Sequence, residues 1–302
     1  MHKDLGTTTY KQIFMLGILI LVGLLVFGAV GMAIAQQFWA PEDIAAATSY
    51  ILENNAQINY MKLLQFLTMF GTFLFPAIAL NYLAKSKNFS FLYLNKTLDI
   101  NKIIVIVGLV AISLPIINAL MAWNQTLHLP ESMANTEAWM REKEALLTGL
   151  TETFMLTSSF GGLIINLLLM AVLPAFGEEF IFRGILMKWF SKSMSIHLAI
   201  ILSAFIFSAI HIQFLGFFPR FFMGLILGYV FYWSGSLWAS ILLHFLNNGM
   251  AVVSYFLVAQ GLINDDPASM GSLDNTAFLM ADILLFIGLM YWFYRNRVNF
   301  KL

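Results

Sequence analysis

Long uncharged apolar runs, separated by short polar stretches, dominate the chain. A helix that crosses a bilayer needs about 20 predominantly apolar residues. Runs of this kind stand at 13–35, 63–83 and 103–121, with Pro76 in the second and Pro115 in the third. A proline is tolerable there because neighbouring helices can satisfy the freed carbonyl. A fourth run covers 153–190. It is uncharged as far as Gly177 and then carries Glu178, Glu179 and Arg183. A short surface helix, a break near Gly161 and Gly162, and then a span are expected within it. Four further runs, at 197–213, 219–233, 237–258 and 277–294, complete the pattern. The fifth and sixth are short, which suits tilted, partly buried or re-entrant helices. The pattern predicts an all-α, polytopic membrane bundle of about eight transmembrane helices, forming one membrane domain over residues 1–302.

Composition agrees. The chain is 60 % hydrophobic and 11 % charged, with a mean hydropathy of +0.81, against about 45–50 % and about 25 % in soluble domains. A soluble enzyme, a disulfide scaffold and a disordered protein are excluded. The absence of cysteine rules out a thiol nucleophile and a thiolate metal site. A net charge of zero gives no reason to expect a nucleic-acid partner.

Charge also sets the orientation. With both termini cytoplasmic, the inner side holds Lys3, Lys11, Lys85, Lys87, Lys96, Lys102, Lys188, Lys192, Arg295, Arg297 and Lys301. The outer side holds Lys62, Arg141, Lys143 and Arg220. Cytoplasmic loops are enriched in Lys and Arg, so this orientation is favoured. Ala33-Ile34-Ala35 imitates a signal-peptidase site. The apolar run before it exceeds the 7–15 residues or so of a signal peptide's core, so it reads as an uncleaved first span. The longest polar stretch, 124–152, is expected to be an extracytoplasmic loop with a surface helix, its Glu137, Arg141 and Glu144 forming a solvated face.

A charge near the bilayer centre costs about 2.5–3.5 kcal/mol on insertion scales, so ionisable groups within spans call for an explanation. Glu178, Glu179, Arg183, His211 and His244 lie within spans, and Asp282 lies nearer an end. Glu179 and Arg183 are four apart on one helical face and can pair. Glu178 is about 100° further round and has no equally good partner on its own helix. His244 and Asn248 also share a face. Counting about 1.5 Å per residue from the cytoplasmic ends puts Glu178, His211, His244 and Asn248 in one layer, in the cytoplasmic half or near the midplane.

A carboxylate, two imidazoles and an amide around a cavity suit water activation with oxyanion stabilisation. Two His and a Glu also suit zinc, with Glu178, His211 and His244 as ligands. No His-Glu-x-x-His motif occurs, and Asp282 has no second Asp to form a dyad. Ser208 and Ser236 have no base assignable from sequence. Gln213 and Arg220 flank the expected cavity mouth. Gly224 and Gly228, four apart, allow close helix contact within the chain.

The motifs Glu178-Glu179-x-x-x-Arg183, Phe207-x-x-x-His211 and His244-x-x-x-Asn248, in that order on successive helices, resemble the CPBP family. This family, also called ABI, includes the type II CAAX prenyl endopeptidases. The resemblance covers residues 162–258. It implies an intramembrane endopeptidase in which Glu178 and His211 activate water and His244 and Asn248 form the oxyanion hole. Glu179 and Arg183 would pair to support the site. The family has been described both as metalloproteases and as glutamate-dependent proteases without a catalytic metal. The residue roles close without zinc. Implied partners are the lipid bilayer and a membrane-associated peptide, lipidated in the family's eukaryotic members. A site opening to the cytoplasmic half suits an anchored peptide that reaches it laterally, and a short chain without a targeting peptide suits the inner membrane of a prokaryote. A non-catalytic binding, immunity or scaffold protein, and a proton-coupled transporter relaying protons through Glu178 and His211, are the competing readings.

Overall fold

The computed structural model describes residues 9–85, 89–264, 271–272 and 275–299. His2, Lys3, Lys87 and Lys301 lie outside them. The described residues form helices α1 (Thr9–Phe38), α2 (Pro41–Thr48), α3 (Asn55–Leu83), α4 (Ile100–Gln125) and α5 (Ala134–Met155). Helices α6 (Phe160–Phe190), α7 (Ile196–Ala209), α8 (Phe217–Ser234), α9 (Leu237–Ala259) and α10 (Thr276–Arg295) follow. Among the described residues, seven helices are long and apolar enough to cross a membrane: α1, α3, α4, α6, α8 with the turn before it, α9 and α10. The protein is a polytopic helical membrane protein.

The expected fifth span is shorter than the sequence suggested. Helix α7 has 14 residues, or about 21 Å at 1.5 Å per residue, against about 30 Å of hydrocarbon. It stops at Ala209, so His211 sits beyond the helix rather than within it. Ile212 follows with φ 53°, a left-handed conformation that a β-branched residue rarely adopts. The break expected at Gly161 and Gly162 falls just before them. Helix α5 ends at Met155, and Ser159 caps α6 by accepting from the Gly162 N–H at 3.0 Å.

Two prolines shape the spans in the same way. Pro76 in α3 and Pro174 in α6 each follow a five-residue π-helical stretch, Phe70–Leu74 and Leu168–Val172. A proline in a helix removes one donor and crowds the carbonyl four residues back. A wider turn relieves both problems. A third π stretch, Phe180–Met187, carries Arg183.

Small residues set the close crossings. A Cβ on Gly23 would run into the Gly71 carbonyl, where α1 crosses α3. On α8, a Cβ at Gly224 would lie 2.9 Å from Ala204 Cβ, and one at Gly228 would lie 2.8 Å from Ile200 Cγ2. The Gly224 and Gly228 pair therefore lets α7 and α8 approach within one chain.

Hydrogen bonds define the two ends of the bundle. At one end Lys192 reaches Gln12 at 3.4 Å, Trp238 Nε1 donates to Leu94 O at 3.0 Å, and Val298 N donates to Trp233 O at 2.9 Å. At the other, Asn124 Nδ2 donates to Phe214 O at 3.2 Å, and Leu215 N donates to Glu144 Oε2 at 3.2 Å. The second end also carries α2 and α5.

Candidate active site

Glu178 and Glu179 leave α6 on different faces, and their surroundings differ accordingly. Glu179 is fully buried. Its Oε1 accepts from Arg183 Nη1 at 2.6 Å and lies 2.9 Å from His244 Nδ1. Arg183 is 1 % exposed; its Nη2 donates to Gly224 O at 3.0 Å, and its guanidinium lies 4.7 Å from the Phe207 ring centroid. One carboxylate oxygen thus ties α6 to α9, and Arg183 ties α6 to α8. The link from Glu179 to His244 was not legible in the sequence, because the two are 65 positions apart.

Glu178 instead faces a cavity of about 450 Å³ that it lines together with His211, His244 and Asn248. Its Oε2 is 3.9 Å from His244 Nε2, too far for a direct hydrogen bond. Glu179 and Arg183 sit behind this wall and do not line the cavity.

Backbone groups orient the remaining side chains. Phe207 is near the end of α7, so its carbonyl is among those without an intrahelical partner. His211 Nδ1 lies 2.7 Å from that oxygen. A carbonyl only accepts, so Nδ1 carries the proton and the neutral ring presents an acceptor at Nε2. The Phe207 ring stands edge-on to both imidazoles, 5.3 Å from His211 and 6.1 Å from His244 between centroids. Pro174 has no N–H for the carbonyl of Met170, and that oxygen accepts from Asn248 Nδ2 at 3.1 Å. The second proton on Nδ2 is left to the cavity. Asn247 Nδ2 donates to Asn248 Oδ1 at 3.2 Å and fixes the amide's orientation.

Several walls of the cavity carried no sequence signal. Met69, Met121, Met155, Met170 and Met223 converge on it from five different helices. Unbranched thioether side chains suit a surface that must accept varied shapes. Gln65, Thr151 and Asn247 line it as well. Helix α5 is therefore part of the site wall as well as a solvated surface helix. Gln213 and Arg220 both line the cavity, and Arg220 Nη1 donates to Gln213 Oε1 at 3.0 Å. Ser208 Oγ donates to Phe217 O at 2.7 Å and Ser236 Oγ donates to Lys96 O, so both hydroxyls hold backbone rather than a histidine. Asp282 lies on α10, away from the cavity.

Zinc would need Glu178, His211 and His244 to converge. His211 Nδ1 meets a carbonyl and His244 Nδ1 meets Glu179, which leaves Nε2 of each ring as the atom a metal would take. Among the described residues no three His, Cys, Asp or Glu side chains form a group able to hold a metal ion.

No curated protein and no solved structure matches the chain. Residues 160–250, which run from the start of α6 into α9 and include Glu178, Glu179, Arg183, His211, His244 and Asn248, match the family model described as type II CAAX prenyl endopeptidase Rce1-like.

Proposed function

We propose that the protein is an intramembrane endopeptidase that hydrolyses a peptide bond in a membrane-anchored substrate with water activated by Glu178. The observation that carries this reading is the division of labour between two adjacent carboxylates. Glu179 is committed to Arg183 and His244, while Glu178 faces the cavity with His211, His244 and Asn248.

Water held between Glu178 and His211 Nε2 loses a proton to the Glu178 carboxylate as its oxygen attacks the carbonyl carbon. The carbonyl oxygen becomes an oxyanion. It receives one hydrogen bond from Asn248 Nδ2 and one from His244 Nε2. Since His244 Nδ1–H already points at Glu179, donation from Nε2 requires the imidazolium form. Collapse of the tetrahedral intermediate breaks the C–N bond, and protonated Glu178 returns its proton to the departing amine. Oxyanion donors of this kind contribute about 10²–10³ in rate, and a positioned acid–base contributes about 10²–10⁴.

The test is hydrolysis by purified protein of a panel of lipidated and transmembrane peptides, with and without chelator. Cleavage that survives chelation supports the reading. Cleavage lost on chelation and restored by zinc would contradict it. No cleavage of any anchored peptide would favour a binding role.

A further inference from the structure

The cavity is not equally open at its two ends. Toward the end that carries the start of α1 and the tail after α10, the site is closed. Leu92, Phe182, Ile185, Trp189, Leu237 and Ile241 belong to one packed cluster there, each at most 3 % exposed. The ion pair of Glu179 and Arg183 sits on the same side of Glu178. Toward the opposite end the site continues into a second cavity of about 460 Å³ between α3 and α5. The two share Gln65, Thr151, Met170, His211 and Gln213. The second runs out past Leu147 and Leu150 of α5 to Tyr50, which is 51 % exposed. The site therefore opens beneath α5, on the end that carries α2, α5 and the turn at 210–216.

Basic residues are concentrated on the other end. Lys11, Lys85, Lys96, Lys102, Lys192 and Arg295 all lie by the closed face, while the open end carries Glu42, Asp43, Glu53, Glu131, Glu142 and Glu152. Excess Lys and Arg mark the cytoplasmic side. We infer that substrate reaches the site from the extracytoplasmic face through the gap between α3 and α5. The substrate class is then a polypeptide anchored in the membrane whose cleaved bond is presented at the outer boundary of the bilayer. A prenylated C-terminus displayed in the cytoplasm would meet the closed face. This replaces the lateral approach from the cytoplasmic half that depth counting alone suggested. His211 sits past the end of α7, in the turn at 210–216 on the open end, and packing decides which way the site opens. The inference about substrate rests on the hydrolase reading above, whereas the sidedness of the opening does not.

The chain has no cysteine, so single-cysteine variants report one position each. Thr151→Cys marks the passage shared by both cavities, Glu142→Cys marks the exposed face of α5, and Ser193→Cys marks the closed end. Each is exposed in intact cells, and again after permeabilisation, to a membrane-impermeant maleimide. The inference predicts labelling of Thr151→Cys and Glu142→Cys in intact cells, and labelling of Ser193→Cys only after permeabilisation. Should Thr151→Cys fail to accumulate, Leu147→Cys reads the same passage. Labelling of the passage variant only after permeabilisation, or under neither condition, would overturn the inference. Neither readout uses turnover. A protein that cleaves no anchored peptide but labels from outside would defeat the hydrolase reading alone, and one that cleaves but labels only from inside would defeat the sidedness alone.

Discussion

The two sides of Glu178 are built on opposite terms. On one side, Glu179, Arg183 and His244 form a buried, hydrogen-bonded set backed by aromatic and branched side chains. On the other, methionines, amides and the turn after α7 surround open volume. Burying charges is costly unless they are paired, so the closed side has to be rigid. The open side exchanges packing for room to hold a substrate. Neighbouring residues of one helix, Glu178 and Glu179, fall on either side of this boundary. A substitution on the closed side should therefore be felt in folding, and one on the open side in turnover.

The largest expected effect is at the boundary itself. Glu178→Gln should lower kcat by about 10²–10⁴-fold while the melting temperature stays that of the wild type, as read from peptide hydrolysis and thermal unfolding of the same preparation. Arg183→Ala strands Glu179 without its partner and should destabilise the protein by about 3–5 kcal/mol. Unfolding in detergent measures this, and a variant as stable as the parent would show that the pair holds nothing together. Asn248→Ala removes one oxyanion donor and should reduce kcat by about 10²–10³-fold, with KM nearly unchanged. Met121→Trp fills part of the cavity and should raise KM for anchored peptides with stability retained, as titration of peptide against rate would show.

The smallest effect concerns the start of α5. Hydrogen bonds from the Leu129 N–H, His128 and Arg141 hold the Glu137 carboxyl down to about 2, from an ordinary 4.5. A carboxylate depressed on folding contributes stability that is present above 4.5 and lost as pH falls toward 2. These hydrogen bonds should therefore persist at neutral and mildly acidic pH. Glu137→Gln should raise amide exchange over residues 128–141 at pH 7 and leave turnover unaltered.

Much of this was legible in the sequence because bilayers enforce simple rules. Length and hydropathy located the spans, and the cost of intramembrane charge singled out Glu178, Glu179, Arg183 and the two histidines. Spacing of four residues anticipated contact between Glu179 and Arg183. Other features arise only when helices meet. The span carrying His211 stops at Ala209, where the Phe207 carbonyl meets the histidine ring and the chain turns through Ile212, which no periodicity reports. Pro174 marked a disturbed helix, yet nothing said that its missing N–H would free an acceptor for Asn248. The five methionines are far apart in the chain and look like ordinary apolar positions of five helices. The opening beneath α5 was missed because that helix, read alone, is a surface helix.

The most direct measurement compares Glu178→Gln with Glu179→Gln, recording kcat on an anchored peptide and the melting temperature for each. A crossed result is expected: Glu178→Gln loses turnover and keeps its stability, whereas Glu179→Gln loses stability through its buried partners Arg183 and His244. Retained turnover in Glu178→Gln would contradict the assignment of that carboxylate as the base that activates water.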